Sequence, residues 1–434
     1  MPFLTQNIFV DQVRIIKRSS PVFELYLRGF KKSLTTLIGP AAILLAAAWI
    51  LSREISLHPA FLDLFHYVPY LFLGAGLALS WRFSQGRSFF LIVILAISYW
   101  SLDTIARNLD SADITAMSVY AGVCFLLPIN FVAFSLSKEQ GVFSKHNIVR
   151  YIMVLMQIAI VGIFANLESD TYVRPLFIKF DSTGLLAHSK LPEIAQIIFL
   201  LALFVLAIRL FMNRSALAGG VIGALIAMGL SLNYELGGLE SILYASIASF
   251  ILMLAVVQDS YILAYHDDLT GLPGRRALNE QMMKLGGKYV MAMVDVDHFK
   301  KFNDKYGHHI GDQVLRFVAA KLEAVRGGGK VYRYGGEEFT ILFQGKESPD
   351  VIDYLEQVHT AIGEAEFVVR SKDRPKKRPE QKPPSKKTLL TVKVTVSVGV
   401  AGKTDRRPTP QHVLKAADRS LYQAKRAGRN QIWM

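Results

Sequence analysis

Long apolar runs separated by short polar breaks fill the chain as far as residue 258. Eight can be marked, near 34–52, 66–82, 88–106, 113–136, 148–166, 191–212, 216–233 and 239–258. A helix needs about 20 apolar residues to cross a bilayer, so each is roughly long enough. The second and seventh are the shortest or most polar. The pattern therefore predicts an all-α, multi-pass membrane bundle over 34–258, preceded by a segment at 1–33. "NIFVDQVRIIKRSS" in that segment mixes apolar and basic residues, as an amphipathic surface helix or a loosely ordered tail would. No small-residue cleavage site follows a short apolar core, so it does not read as a secretory signal.

Beyond 258 the pattern changes. Apolar positions continue at helical spacing through Ile262, Leu263 and Tyr265, which predicts a short coupling helix over 259–270. "DLTGLPG" then breaks it. Val290 to Val294 read as a buried strand ending in Asp295-Val296-Asp297, with both aspartates on one face. A helix is expected from Gly311-Asp312 onward, through Val314, Leu315, Val318 and Leu322. A hairpin follows, with strands near 330–334 and 338–343, then a helix at about 349–363, one strand at about 389–402 and a last helix near 408–427. Strands alternating with helices around one hairpin predict an α/β (α+β) domain over 265–434. Between Arg370 and Thr388, "RSKDRPKKRPEQKPPSKKT" has four prolines and no apolar residue. It reads as a basic Pro-rich excursion, solvated or held to anionic lipid.

Charge supplies an orientation. Basic residues gather before the first run (Arg14, Lys17, Arg18, Arg28, Lys31, Lys32), then at Arg82 and Arg87, at Lys138, Lys145 and Arg150, and at Arg209 and Arg214. The intervening loops are poor in them, apart from 167–190, where acids offset the bases. The positive-inside rule then puts both termini in the cytoplasm. Net charge is +14, which favours anionic partners such as nucleotides or phospholipids. A single cysteine, Cys124, excludes an intramolecular disulfide and a cysteine-based zinc site. Asp103 falls near one end of the third run, where an acid is either functional or reaching interfacial water.

The hairpin segment "VYRYGGEEFTIL" places two acids directly after two glycines. Asp295 and Glu337 are hard oxygen donors of the kind Mg²⁺ takes together with phosphates and water. Gly335 and Gly336 would let a phosphate approach the backbone. Lys300 could neutralise phosphate charge, as could Lys425 and Arg429, whose spacing suits one face of the last helix. On their own, paired acids beside glycines could equally be a solvated turn.

Five stretches are more specific: "DDLTGLPGRR", "DVDHFKKFNDKYGHHIGD", "YRYGGEEF", "TVSVGVA" and "ADRSLYQAKRAGRN". In this order they resemble the GGDEF family of diguanylate cyclases, which join two GTP molecules into cyclic di-GMP. The resemblance covers about 265–434 and leaves the membrane half outside it. It implies a fold related to the palm of nucleotide cyclases and polymerases. It also implies a homodimer for catalysis, Mg²⁺ (or Mn²⁺) as cofactor and no nucleic-acid partner. A chain of this kind would sit in a bacterial cytoplasmic membrane, in contact with membrane lipid and open to a small-molecule or protein signal. By position, Asp295, the Val296 carbonyl and Glu337 match metal ligands. Glu337 also matches the proton acceptor, and Glu338 the acid supporting the metal site. Asn303 and Asp312 match guanine contacts, and His308 a further substrate contact. Lys300 matches the charge stabiliser, and Lys425 and Arg429 match phosphate contacts. Two departures stand out. The inhibitory Arg-x-x-Asp register reads Arg326-Gly327-Gly328-Gly329, so feedback inhibition there is expected to be weak or absent. Gly274 stands where the family usually has Asn before the paired arginines.

Overall fold

A computed structural model describes residues 37–50, 63–108, 113–167, 170–177, 189–213, 215–369 and 390–434. The segment before residue 34 and the basic Pro-rich stretch lie outside the described residues. The chain divides into two compact units, Met1–Ser260 and Tyr261–Met434.

Within the described residues of the first unit, every apolar run becomes a helix. These are α1 (Leu37–Ile50), α2 (Val68–Arg82), α3 (Gly86–Asn108), α4 (Ile114–Leu136), α5 (Ile148–Asn166), α6 (Glu193–Met212), α7 (Ala216–Ser231) and α8 (Leu239–Tyr265). Six are long and apolar enough to cross a membrane by length and composition, α2 as part of the longer helical stretch Asp63–Arg82; α1 and α7 are shorter. They are apolar all round rather than amphipathic, as expected where both the interior and the outer face avoid water. One core runs through them, with Leu91, Leu127, Phe131, Leu206, Leu225 and Leu252 almost fully buried. Asp103 does not simply reach for the surface. His66 Nδ1 lies 2.8 Å from its Oδ1, Arg107 Nε donates to that oxygen at 3.1 Å, and the Tyr70 hydroxyl donates to Oδ2 at 3.1 Å.

Helix α8 ends at Tyr265, short of the expected 270, because His266 pairs with Pro273 in a turn. The second unit continues with α9 (Arg275–Met283), β1 (Tyr289–Val296), α10 (Phe299–Tyr306), α11 (His308–Leu322), β2 (Lys330–Gly335), β3 (Glu338–Gln344) and α12 (Ser348–Gly363). It closes with β4 (Glu366–Val369), β5 (Leu390–Lys393), β6 (Val396–Gly402), α13 (Pro410–Arg426) and β7 (Ile432–Trp433). Two details differ from expectation. Helix α11 begins at His308, ahead of Gly311, and the strand expected over 389–402 is two strands.

The main sheet runs β2-β3-β1-β6-β7, antiparallel except for the β6–β7 pair; β4 and β5 form a separate ladder. Strand β1 is central and buried on both faces, so its residues divide by parity. Val290, Ala292 and Val294 join α11 and α12, while Tyr289, Met291 and Met293 join α9 and α13. Helix α13 can lie close on β6 because residue 399 is glycine. A β-carbon there would collide with the Leu421 amide nitrogen and the Ala417 carbonyl.

Candidate active site

The polar cluster forms where β1 runs out. Register places Asp295 beside Glu338 of β3 and Ser397 of β6. Asp295 is only 5% exposed, and Lys425 from the last turn of α13 reaches it, Nζ to Oδ2 at 2.8 Å. Burial pushes the Asp295 carboxyl up to about 6; Lys425 opposes the shift, and the charges of Glu337 and Glu338 add to it. Burial also raises Glu338, against the pull of Lys425. A buried carboxylate flanked by two more is electrostatically poised for a cation.

This shift gives a pH dependence of stability. The unfolded Asp295 carboxyl loses its proton near 3.8 and the folded one near 6, so between those values the folded state binds more protons. Stability therefore falls as pH rises through that window, by up to about 3 kcal/mol, and stays lower above it. Thermal unfolding in chelator, compared with Asp295→Asn across that range, should isolate this slope in the parent alone.

Of the two acids, only Glu337 lies in the hairpin turn, beside Gly336; Glu338 already belongs to β3. The Glu337 carbonyl accepts from the Val296 amide at 3.4 Å, which ties the turn to the end of β1. Gly336 has φ +48°, and no side chain would crowd a β-carbon at Gly335 or Gly336.

A second group lies on α10 and α11. The Asn303 Oδ1 is buried without a hydrogen-bond partner. Gly311 allows this approach, since a β-carbon there would collide with that oxygen. Half-buried Asp312 follows directly on α11. Lys300 and His308 are exposed on the same two helices, and the N-terminal residue flanking α11 is Gly307 rather than a capping side chain. Arg429 is not on the face of the last helix. That helix stops at Arg426, and Arg429 sits beyond it with φ +66°. Arg326 is followed by left-handed Gly327 and Gly328.

Sequence reasoning missed two groups. Arg333 Nη1 donates to both oxygens of Asp267, at 2.7 and 2.8 Å, while Nη2 donates to the Gly336 carbonyl at 2.7 Å. Burial works against the charge on Asp267, but Arg333 and Thr270 hold its carboxyl below the usual range. One guanidinium thus clamps the "DDLTG" turn to the hairpin. Asp297 is the other, a carboxylate surrounded by donors. Both lie inside quoted stretches, so the signal was present, but only as part of the resemblance.

A family model described as "Diguanylate cyclase, GGDEF domain" matches residues 264–431. Residues 264–431 are a GGDEF domain of the diguanylate cyclase family. The GGDEF domain is 35% identical over 178 residues to the response regulator PleD of Caulobacter vibrioides, covering 39% of this chain and 36% of that protein. It is 34% identical over 173 residues to the diguanylate cyclase VdcA of Vibrio cholerae, covering 39% of this chain and 46% of that one. The match thus spans less than half the length of these relatives. Among solved structures, the GGDEF domain of DgcB from Caulobacter crescentus, in complex with c-di-GMP, is 31% identical. It covers 39% of this chain and 92% of that one, with a TM-score of 0.34.

Proposed function

We propose that this chain is a membrane-bound diguanylate cyclase that condenses two GTP molecules into cyclic di-GMP and two pyrophosphates, under control of its apolar N-terminal unit. The observation that carries this reading is the convergence of Asp295, Glu338 and Lys425 at the end of β1, with Glu337 in the adjoining turn.

The donors suit a hard divalent ion. Among the described residues no three His, Cys, Asp or Glu side chains are grouped as a metal site. Mg²⁺ does not require that, since it takes one or two carboxylates and completes its shell with phosphate and water. Asp295, the Val296 carbonyl and Glu337 would hold Mg²⁺ (or Mn²⁺), which when bound polarises the α-phosphate and lowers the pKa of the attacking hydroxyl.

The chain's own residues supply the rest. Asn303 and Asp312 select guanine, whose N–H groups a carboxylate can accept. Lys300, Lys425 and Arg429 balance phosphate charge, and His308 adds a substrate contact. Glu337 accepts the proton of the 3′-hydroxyl as it attacks the α-phosphorus, and pyrophosphate leaves. Glu338 keeps the carboxylate cluster in place. Each domain binds one GTP, so two domains must face each other for both bonds to form.

The rival reading is a GTP or cyclic di-GMP receptor without turnover. Full-length protein incubated with GTP and Mg²⁺, with products identified by mass spectrometry, separates the two. Cyclic di-GMP supports the cyclase; bound but unconverted GTP supports the receptor.

A further inference from the structure

Asp297 ends the "DVD" run, yet it takes no part in the acidic cluster. Its carboxylate accepts from the Thr395 hydroxyl at 2.8 Å, the Ser397 hydroxyl at 2.6 Å and the Asn430 backbone amide at 3.0 Å. Its own amide donates to the Thr395 carbonyl at 2.9 Å. One carboxylate therefore joins the end of β1, the start of β6 and the segment after α13.

That segment is unusual. Gly428, Arg429 and Asn430 have φ values of +117°, +66° and +44°. Asparagine enters the left-handed region readily, but for Arg429 it is costly and persists only where neighbours over-determine it. The neighbours here are specific. The Arg429 amide and the Gln431 side chain both donate to the Ala424 carbonyl, at 3.0 and 2.8 Å. The Val398 amide donates to the Gln431 carbonyl at 2.9 Å. Those bonds fix the turn on either side, and the bond to Asp297 fixes its centre. Arg429 itself is exposed on this turn.

We propose that Asp297 is a positioning residue that holds the left-handed turn so that Arg429 is presented to the triphosphate of the bound nucleotide. This rests on the reading of Arg429 as a phosphate contact. Strained backbone retained beside a charged, exposed side chain is the pattern expected where placement of that side chain matters. A carboxylate suits the role because all three groups around it are donors. The two hydroxyls could accept as well as donate, so an amide could be accommodated there, whereas an alanine would leave the Asn430 amide without its acceptor.

The test uses full-length protein and two probes, 3′-deoxy-GTP, which has no nucleophile and does not turn over, and guanosine. Asp297→Ala should weaken 3′-deoxy-GTP about tenfold, the loss of roughly one good contact, and leave guanosine binding unchanged. Arg429→Ala should do the same, and the double variant should lose no more than either single one, because both act through one contact. Where Asp297→Ala fails to fold, Thr395→Val removes one of the two donors to Oδ2 and should give a smaller loss confined to 3′-deoxy-GTP. Parallel weakening of guanosine would overturn the proposal in favour of a scaffold role, and so would losses that multiply in the double variant. An Arg429→Ala protein that binds both probes normally would overturn the phosphate reading of Arg429, and the proposal with it. A parent that binds neither probe would instead reject the nucleotide reading of the domain.

Discussion

Glu337→Gln should abolish cyclic di-GMP formation, by about 10²- to 10⁴-fold or more, while leaving the thermal transition of the domain in place. Two features drive this expectation. Glu337 sits in a turn whose anchorage is through its backbone carbonyl rather than its carboxylate, so the substitution removes chemistry and spares structure. The amide also cannot accept a proton from the 3′-hydroxyl, and it contributes no charge toward a divalent ion. Product measured by mass spectrometry at saturating GTP checks the loss, and circular dichroism checks the fold. Residual activity within tenfold of the parent would move the proton-acceptor role elsewhere, with Glu338 next in line.

Gly399→Val should have the second large effect, and through the opposite route. It touches no candidate substrate contact, yet its side chain would enter the backbone of α13 at Ala417 and Leu421. Backbone cannot step aside as a side-chain end can, so α13 must lift from β6. Val413, Ala417 and Leu421, all nearly fully buried, would then lose their cover. A cost above about 4 kcal/mol is expected, among the largest for a single substitution. Lys425 rides on the same helix, so binding and stability should fail together. The checks are loss of the domain's unfolding transition and rapid proteolysis within residues 261–434. A variant with parental stability would mean that α13 has freedom to shift along β6.

These two cases show what local pattern can reveal. Apolar run length was enough to foresee the all-α unit, and alternating strand-type and helix-type patterns foresaw the mixed α/β domain after it. The end of β1 was legible too, because a buried run that stops at Asp295 announces where a strand meets polar surroundings. Relations across long separations were not. The strand expected over 389–402 breaks at Val394 and Thr395, where Thr395 bonds to Asp297 nearly a hundred residues away. Arg429 follows Lys425 at helical spacing, so periodicity placed both on one face, but the helix ends first and Gly428 turns the chain left-handed. The Asp267–Arg333 clamp spans 66 residues and leaves no trace in periodicity. Helix α11 starts earlier than foreseen because Gly307, at φ +83°, permits the turn into it.

The small ladder of β4 and β5 has a consequence for engineering. Val369 and Leu390 are paired partners, so the two ends of everything between them are already held at strand spacing. The cost of closing a loop grows only with the logarithm of its length, about 0.6 kcal/mol per doubling. Neither β4 nor β5 belongs to the five-stranded sheet that carries Asp295 and Glu338. This makes the interval a natural splice point. A fluorescent protein inserted there should report on the protein in living cells without altering the end of the sheet that carries Asp295 and Glu338.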